Sequence, residues 1–143
     1  MELTKELWGK SACGKEIFLY TLKNEAGAYV QLSSVGAGIV SAVVPDKEGK
    51  LADVVLGYPE PESYFGDGPC AGKIPGRYAN RIAGGKFSID GIEYEVEKNE
   101  KGITCLHGGA ELSTAVWKAI IIDDNSLEMS YTSPDGAMGF PGK

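Results

Sequence analysis

Basic charge, histidine and cysteine are scarce in this 143-residue sequence, and each shortage excludes a class of function. Fourteen lysines and arginines stand against twenty acidic residues, which gives a net charge of −6. Binding to a nucleic-acid backbone needs a basic face, so no nucleic-acid partner is expected. The three cysteines show no paired spacing, and the single histidine belongs to no cluster of ligands. We therefore expect reduced thiols, with neither a disulfide framework nor a metal site.

Long apolar runs are also absent. No stretch approaches the length that crosses a membrane, and residues 1–5 carry no apolar segment typical of a secretory signal. The sequence therefore predicts a cytoplasmic protein without membrane contact. Its length is enough for one domain with its own core.

Glycine, in contrast, is abundant, with twenty residues spread along the chain between short apolar runs. This pattern is typical of antiparallel β-proteins, and no segment keeps an apolar period of 3.6 residues. The clearest hairpin signal is Asp90-Gly91 between alternating residues. A short helical turn is the only helix considered, within residues 59–65. Strands are predicted at residues 16–22, 28–35, 39–44, 53–56, 86–89, 92–96, 116–122 and 127–132.

Two glycine-rich segments hold the candidate functional residues: GRYANRIAGGKF at 76–87 and LHGG at 106–109. Arg77, Asn80 and Arg81 offer fixed donors and an amide that both donates and accepts, which suits sugar hydroxyls. Histidine as a residue type ionises near neutral pH, so His107 is a candidate for binding a ligand or moving a proton. From the residues alone a structural interpretation stays open. In it the arginines pair with acids, and a backbone carbonyl satisfies the histidine.

Together these segments resemble the aldose 1-epimerase (galactose mutarotase) family. The resemblance depends on Asn-Arg-Ile at 80–82 followed by Leu-His-Gly-Gly at 106–109. The further matching positions are Gly84, Phe87, Asp90-Gly91, Asn99, Trp117 and the Ser-Pro-Asp-Gly and Gly-Phe-Pro-Gly elements at 133–136 and 139–142. One local difference is the stretch at 110–116, where the family usually shows Gly-Phe before the tryptophan.

The resemblance implies an antiparallel β-sandwich that interconverts the α and β anomers of free aldohexoses such as galactose and glucose. A base takes the anomeric proton, an acid protonates the ring oxygen, and the ring opens and recloses, without any cofactor. By the same resemblance Asn80 and Arg81 bind sugar hydroxyls and Arg77 supports them. His107 binds and polarises the sugar, with a share in catalysis.

The family's second histidine, its glutamate base and a hydroxyl-binding aspartate have no counterpart in residues 1–143. The sequence is therefore expected to be the N-terminal part of a single mutarotase-like sandwich, inactive alone and prone to self-association through unpaired strands. Two alternatives stay open. One is a non-catalytic carbohydrate-binding module, and the other is a relative acting on hexose phosphates, with Arg77 and Lys73 as phosphate ligands.

Overall fold

A five-stranded antiparallel sheet forms the largest part of the structure, a computed structural model that describes residues 2–66, 68 and 70–143. Its strands lie in sequence order, so each pairs with its neighbour along the chain. The strands are β1 (Glu2–Lys10), β2 (Glu16–Lys23), β3 (Tyr29–Ser33), β4 (Gly38–Pro45) and β5 (Leu51–Asp53).

Three two-stranded antiparallel pairs follow, in which β6 pairs with β9, β7 with β8, and β10 with β11. Their bounds are β6 (Arg81–Ile82), β7 (Lys86–Ile89), β8 (Ile92–Glu95), β9 (Cys105–Leu106), β10 (Lys118–Asp123) and β11 (Ser126–Ser130). The helical segments are single turns: α1 (Ser63–Gly66), α2 (Glu111–Thr114), and 3₁₀ turns at Ala83–Gly85 and Ala137–Gly139. The predicted all-β antiparallel class is confirmed.

The hairpins predicted at residues 86–96 and 116–132 from their short turn sequences are confirmed. Asp90 and Gly91 both take positive φ, 52° and 80°, as a two-residue hairpin turn requires, and they join β7 to β8. The hairpin predicted from residues 116–132 is β10 with β11. The predicted helical turn within residues 59–65 is α1, which begins and ends slightly later.

The fourth strand was predicted at residues 53–56, and this is wrong because β5 ends at Asp53. The Asp53 carboxylate accepts hydrogen bonds from the Ala42 and Val55 amides, each at 3.0 Å, and from the Ser41 hydroxyl at 2.6 Å. Together with the bond from the Val54 amide to the Ala42 carbonyl at 3.0 Å, they connect the end of β5 to β4. Strand β1 was not predicted at all, because its residues are largely exposed and pairing with β2 holds it in place.

Two apolar clusters form the core. The first joins the large sheet to α1 through Ile17, Leu19, Val35, Val40 and Tyr64. The second lies under β6 and β9 and consists of Val96, Cys105 and Phe140, with Ile82, Phe87 and Met138 packed against it. Each fully buried side chain of this size contributes about 1.5–3 kcal/mol through the hydrophobic effect. The second cluster supports the segments that carry the candidate residues.

The three cysteines are free thiols that differ in exposure. Cys105 is fully buried in the second apolar cluster, Cys70 is partly buried, and Cys13 is exposed. Within residues 2–66, 68 and 70–143, no helix has the length and apolar character needed to span a membrane.

Candidate functional site

The short pair of β6 and β9 brings the two glycine-rich segments together. Ile82 pairs with Cys105 and Arg81 with Leu106. The ladder continues one step further, because the His107 amide donates to the Asn80 carbonyl at 2.8 Å. The Gly76 amide in turn donates to the His107 carbonyl at 3.2 Å. Residues 76–82 and 105–107 are thus fixed side by side.

Next to the β6–β9 pair, both glycine-rich segments take left-handed backbone conformations. Asn80 has φ 67° and His107 has φ 55°, a region in which asparagine and histidine are found more often than other side chains. Gly108 follows with φ 68°. A Cβ atom at Gly108 would lie 2.3 Å from the Gly76 carbonyl oxygen, so only glycine allows this close approach.

The ring of His107 is held by a backbone amide. The Asn80 N–H donates to Nδ1 of His107 at 3.0 Å. A nitrogen that accepts this bond carries no proton, so the neutral ring has its proton on Nε2. The structural interpretation of the sequence expected a carbonyl partner, whereas the partner found here is an N–H. The side chain therefore presents Nε2–H as a hydrogen-bond donor.

Arg81 is held by two side chains. Its Nε donates to Glu100 Oε2 at 2.8 Å and its Nη2 to Glu100 Oε1 at 2.6 Å, while Nη1 donates to Asn80 Oδ1 at 3.2 Å. This confirms, for Arg81, the interpretation in which an arginine pairs with an acid. The hydrogen bonds from Arg81 lower the pKa of Glu100, so this carboxylate stays ionised at neutral pH and is a weak base.

Arg77 points its donors at the C-terminal segment of the chain. Its guanidinium donates to Ser133 Oγ at 2.9 Å and to the carbonyls of Pro134 at 2.7 Å, Pro141 at 3.1 Å and Gly142 at 2.7 Å. The structure thus gives Arg77 a role in joining residues 76–77 to 133–142. The supporting role in ligand binding that the sequence suggested stays a prediction.

Cavities border the candidate residues on different sides, among them one of about 570 Å³ that Arg77 lines together with Trp117 and Tyr131. Arg77 and Arg81 line another cavity of about 420 Å³ whose remaining lining is aromatic or aliphatic: Tyr78, Ile82, Phe87, Ile89, Phe140 and Pro141. His107 lines a separate cavity of about 240 Å³, whose polar lining includes Asn99, Lys73, Ser113 and Thr114. The structure therefore brings Asn80, Arg81 and His107 together by hydrogen bonds, but Arg81 and His107 line different cavities.

Asn99 makes two hydrogen bonds to the backbone of the residue that precedes His107. Its Nδ2 donates to the Leu106 carbonyl at 2.9 Å, and its Oδ1 accepts from the Leu106 amide at 2.7 Å. This amide pair continues β9 in the way a further strand would, and it fixes the residue that precedes His107. Sequence reasoning included Asn99 only as part of the family resemblance.

Sequence reasoning missed Glu100 entirely. Its partner Arg81 lies nineteen residues away, and an acidic residue within a charged run has no pattern that marks it. Among the described residues there is no group of three or more His, Cys, Asp or Glu side chains that could hold a metal ion.

An antiparallel β-fold that joins an Asn-Arg pair to a histidine is the arrangement that the resemblance to aldose 1-epimerases implies. Residues 19–143 match the family model described as aldose 1-epimerase, and the chain belongs to this family. It is 41% identical over 115 residues to the galactose mutarotase of Bos taurus, covering 80% of this chain and 33% of that protein. It is 35% identical over 130 residues to the aldose 1-epimerase of Escherichia coli (strain K12), covering 90% of this chain and 37% of that protein.

Solved structures show the same fold. The galactose 1-epimerase of Lactobacillus acidophilus superposes with a TM-score of 0.83 at 22% identity, covering 99% of this chain and 42% of that one. An aldose epimerase homologue from C. elegans gives a TM-score of 0.79 at 30% identity, covering 87% of this chain and 38% of that one. The predicted galactose mutarotase type of fold is confirmed, and the chain spans about a third of the length of the curated relatives it matches.

Proposed function

We propose that this chain binds a free aldohexose through Asn80, Arg81 and His107, as part of an enzyme that interconverts the α and β anomers. The observation that supports this most directly is the bond from the Asn80 amide to His107 Nδ1. It leaves Nε2–H as a donor on a ring that contacts the Asn80 backbone, and the Asn80 side chain in turn accepts from Arg81. Sugar hydroxyls accept and donate at once, so this set of fixed donors suits them.

In this proposal the reaction is general acid–base ring opening. The anomeric hydroxyl loses a proton, the bond from C1 to the ring oxygen breaks, and the ring oxygen gains a proton. Rotation about the C1–C2 bond and reclosure give the other anomer. Nε2–H of His107 donates to a sugar oxygen on which negative charge develops, and Arg81 and Asn80 orient the hydroxyls.

Residues 1–143 are proposed to be the N-terminal part of one β-sandwich domain and to be inactive alone. Glu100 is the carboxylate attached to the site, and its bonds to Arg81 lower its pKa, which makes it a poor base. Glu100 is therefore not suited to be the base, and we propose that the chain lacks a complete acid–base pair. The partial coverage of the relatives supports the same proposal.

Polarimetry on freshly dissolved α-galactose tests the activity. We expect the 143-residue chain to leave the rate of mutarotation at its uncatalysed value. An acceleration that is proportional to protein concentration and is lost in His107→Ala would show that the chain is active alone and that His107 carries more of the catalysis.

NMR titration with galactose tests binding separately. We expect the amide resonances of Asn80 and Gly108 to shift on addition of the sugar, and His107→Ala to weaken binding. Glu25→Gln, in the turn between β2 and β3, is the control and should bind like the wild type. No shift at any sugar concentration would contradict the proposed function.

A binding module without catalysis is the second candidate, and the state of Glu100 favours it. Sugar affinity without rate enhancement, in a protein encoded at this length, would favour that function. The hexose-phosphate alternative has less support, because Arg77 and Lys73 both donate to backbone carbonyls, Lys73 to that of Tyr64.

Self-association is part of the proposal. Strands β1 and β5 are the outer strands of the large sheet, and large apolar side chains are exposed, among them Leu56 at 93% and Val54 at 67%. Exposed edges and apolar surface favour contact between copies. A monodisperse monomer in sedimentation velocity would contradict this expectation. The cytoplasmic location stays a prediction.

A further inference from the structure

The bond between Arg81 and Glu100 has the geometry of a two-point fork. Both carboxylate oxygens accept, at 2.8 and 2.6 Å, and the side chains are 55% and 26% exposed. Parallel N–H···O bonds of this kind define the plane of the guanidinium group as well as its position. The third contact, from Nη1 to Asn80 Oδ1 at 3.2 Å, further restricts the rotation of the guanidinium group.

Glu100 is itself held by backbone bonds. Its amide donates to the Thr104 carbonyl at 3.0 Å, and its carbonyl accepts from the amides of Ile103 at 3.0 Å and Thr104 at 3.2 Å. Asn99 clamps Leu106, the residue before His107. The carboxylate that holds Arg81 therefore lies next in sequence to Asn99, which bonds to Leu106, the last residue of β9 and the one before His107.

We infer that Glu100 is a positioning residue that orients the Arg81 guanidinium for the hydroxyls of a hexose, an inference that rests on the proposed function. Arginine has five N–H donors. The described contacts use three of them, so two stay available on a group whose orientation is already set. Ordering a long side chain costs free energy on binding, and a side chain already ordered avoids that cost.

The opposite role for Glu100 is competition with the sugar. In that case the carboxylate would neutralise Arg81 and occupy donors that a hydroxyl could use. The two roles predict opposite signs when the carboxylate is removed. Positioning predicts weaker sugar binding, and competition predicts tighter binding.

Glu100→Gln is the test variant, because it keeps the size of the side chain and removes the charge. Glu93→Gln is the matched control, since Glu93 also forms an exposed ion pair, with Lys86 at 2.8 Å, on the β7–β8 hairpin. The first measurement needs no ligand. It is the ¹⁵N heteronuclear NOE of the Arg81 Nε–H group, which we expect to be high in wild type and in Glu93→Gln and to fall in Glu100→Gln.

The second measurement is the dissociation constant for galactose by NMR titration. We expect it to rise about threefold to tenfold in Glu100→Gln, the range expected for ordering one long side chain, and to be unchanged in Glu93→Gln. Glu100→Asp keeps the charge and should recover part of the affinity. Below the pH at which Glu100 protonates, wild-type affinity should fall to that of Glu100→Gln.

Two results would overturn the inference. One is an Arg81 Nε–H group as mobile in the wild type as in Glu100→Gln. The other is a wild type that binds galactose no more tightly than Glu100→Gln does. If wild type binds no hexose at all, the proposed function fails, and the relaxation data alone decide whether Glu100 positions Arg81.

Discussion

Arg77→Met removes the contact that joins residues 76–77 to the C-terminal segment at 133–142. Methionine keeps an unbranched apolar stem but has no N–H groups, so the four bonds to Ser133, Pro134, Pro141 and Gly142 are lost. A hydrogen bond that involves a charged group contributes about 1.5–3 kcal/mol. The carbonyls of Pro134 and Gly142 are exposed and regain water, so we count only part of the sum.

We expect a local destabilisation of about 2–4 kcal/mol for Arg77→Met, based on the bonds that water cannot replace. Because 1.4 kcal/mol corresponds to a factor of ten, the opening equilibrium of the segment should rise about 30- to 700-fold. Hydrogen exchange followed by NMR measures this directly. The reporters are the amides of Gly136 and Phe140, which bond to backbone carbonyls at 2.9 Å, and that of Gly142, which bonds to Asp135 at 2.6 Å.

Lys86→Met is the matched control for Arg77→Met. It also removes one cation from a side chain of similar length, but the Lys86 partner is the exposed Glu93. Its effect on the three reporter amides should be negligible, since exposed ion pairs contribute little. If these amides exchange in Arg77→Met at wild-type rates, the reasoning is refuted and Arg77 is free for another role.

The remaining predictions concern one glycine, one carboxylate and two thiols. Gly108→Ala should lower the thermal midpoint of unfolding much more than Gly49→Ala. Both glycines have positive φ, so the backbone strain of alanine is shared. A Cβ atom at Gly49 meets no atom within 4 Å, whereas a Cβ atom at Gly108 collides with backbone atoms. Hydrogen bonds from a serine hydroxyl and from backbone amides lower the pKa of Asp53. Its ionisation therefore stabilises the fold above the pKa of an unfolded aspartate, near 3.9. This stabilisation is lost as the pH falls through the lower pKa that Asp53 has in the folded state. Urea titrations should therefore show a weaker acid-induced loss in Asp53→Asn than in wild type. With iodoacetamide, Cys13 should be alkylated well before Cys105. A serine hydroxyl lowers the pKa of the Cys13 thiol, and burial raises the pKa of the Cys105 thiol. Equal alkylation rates, measured by mass spectrometry, would contradict this prediction.

Local features of the fold could be predicted because their causes lie within a few residues. The Asp90-Gly91 turn and the alternation on either side define the β7–β8 hairpin without help from the rest of the chain. The end of β5 could not be predicted, because Asp53 ends the strand by bonding to Ser41 and Ala42 on the neighbouring strand. Strand β1 could not be predicted either, because most of its residues are exposed and its pairing with β2 holds it in place.

The sequence by itself determined the family and the residue types of the site. The Asn-Arg-Ile and Leu-His-Gly-Gly segments carry the likeness to aldose 1-epimerases, and the family match confirms it. Only the tertiary structure decided which hydrogen-bond partner each residue has. His107 accepts a bond from the Asn80 amide, twenty-seven residues away. Arg81 donates to Glu100, nineteen residues away, and Arg77 donates to Gly142, sixty-five residues away. Contacts at such separations depend on how the whole chain closes, and no local pattern encodes them.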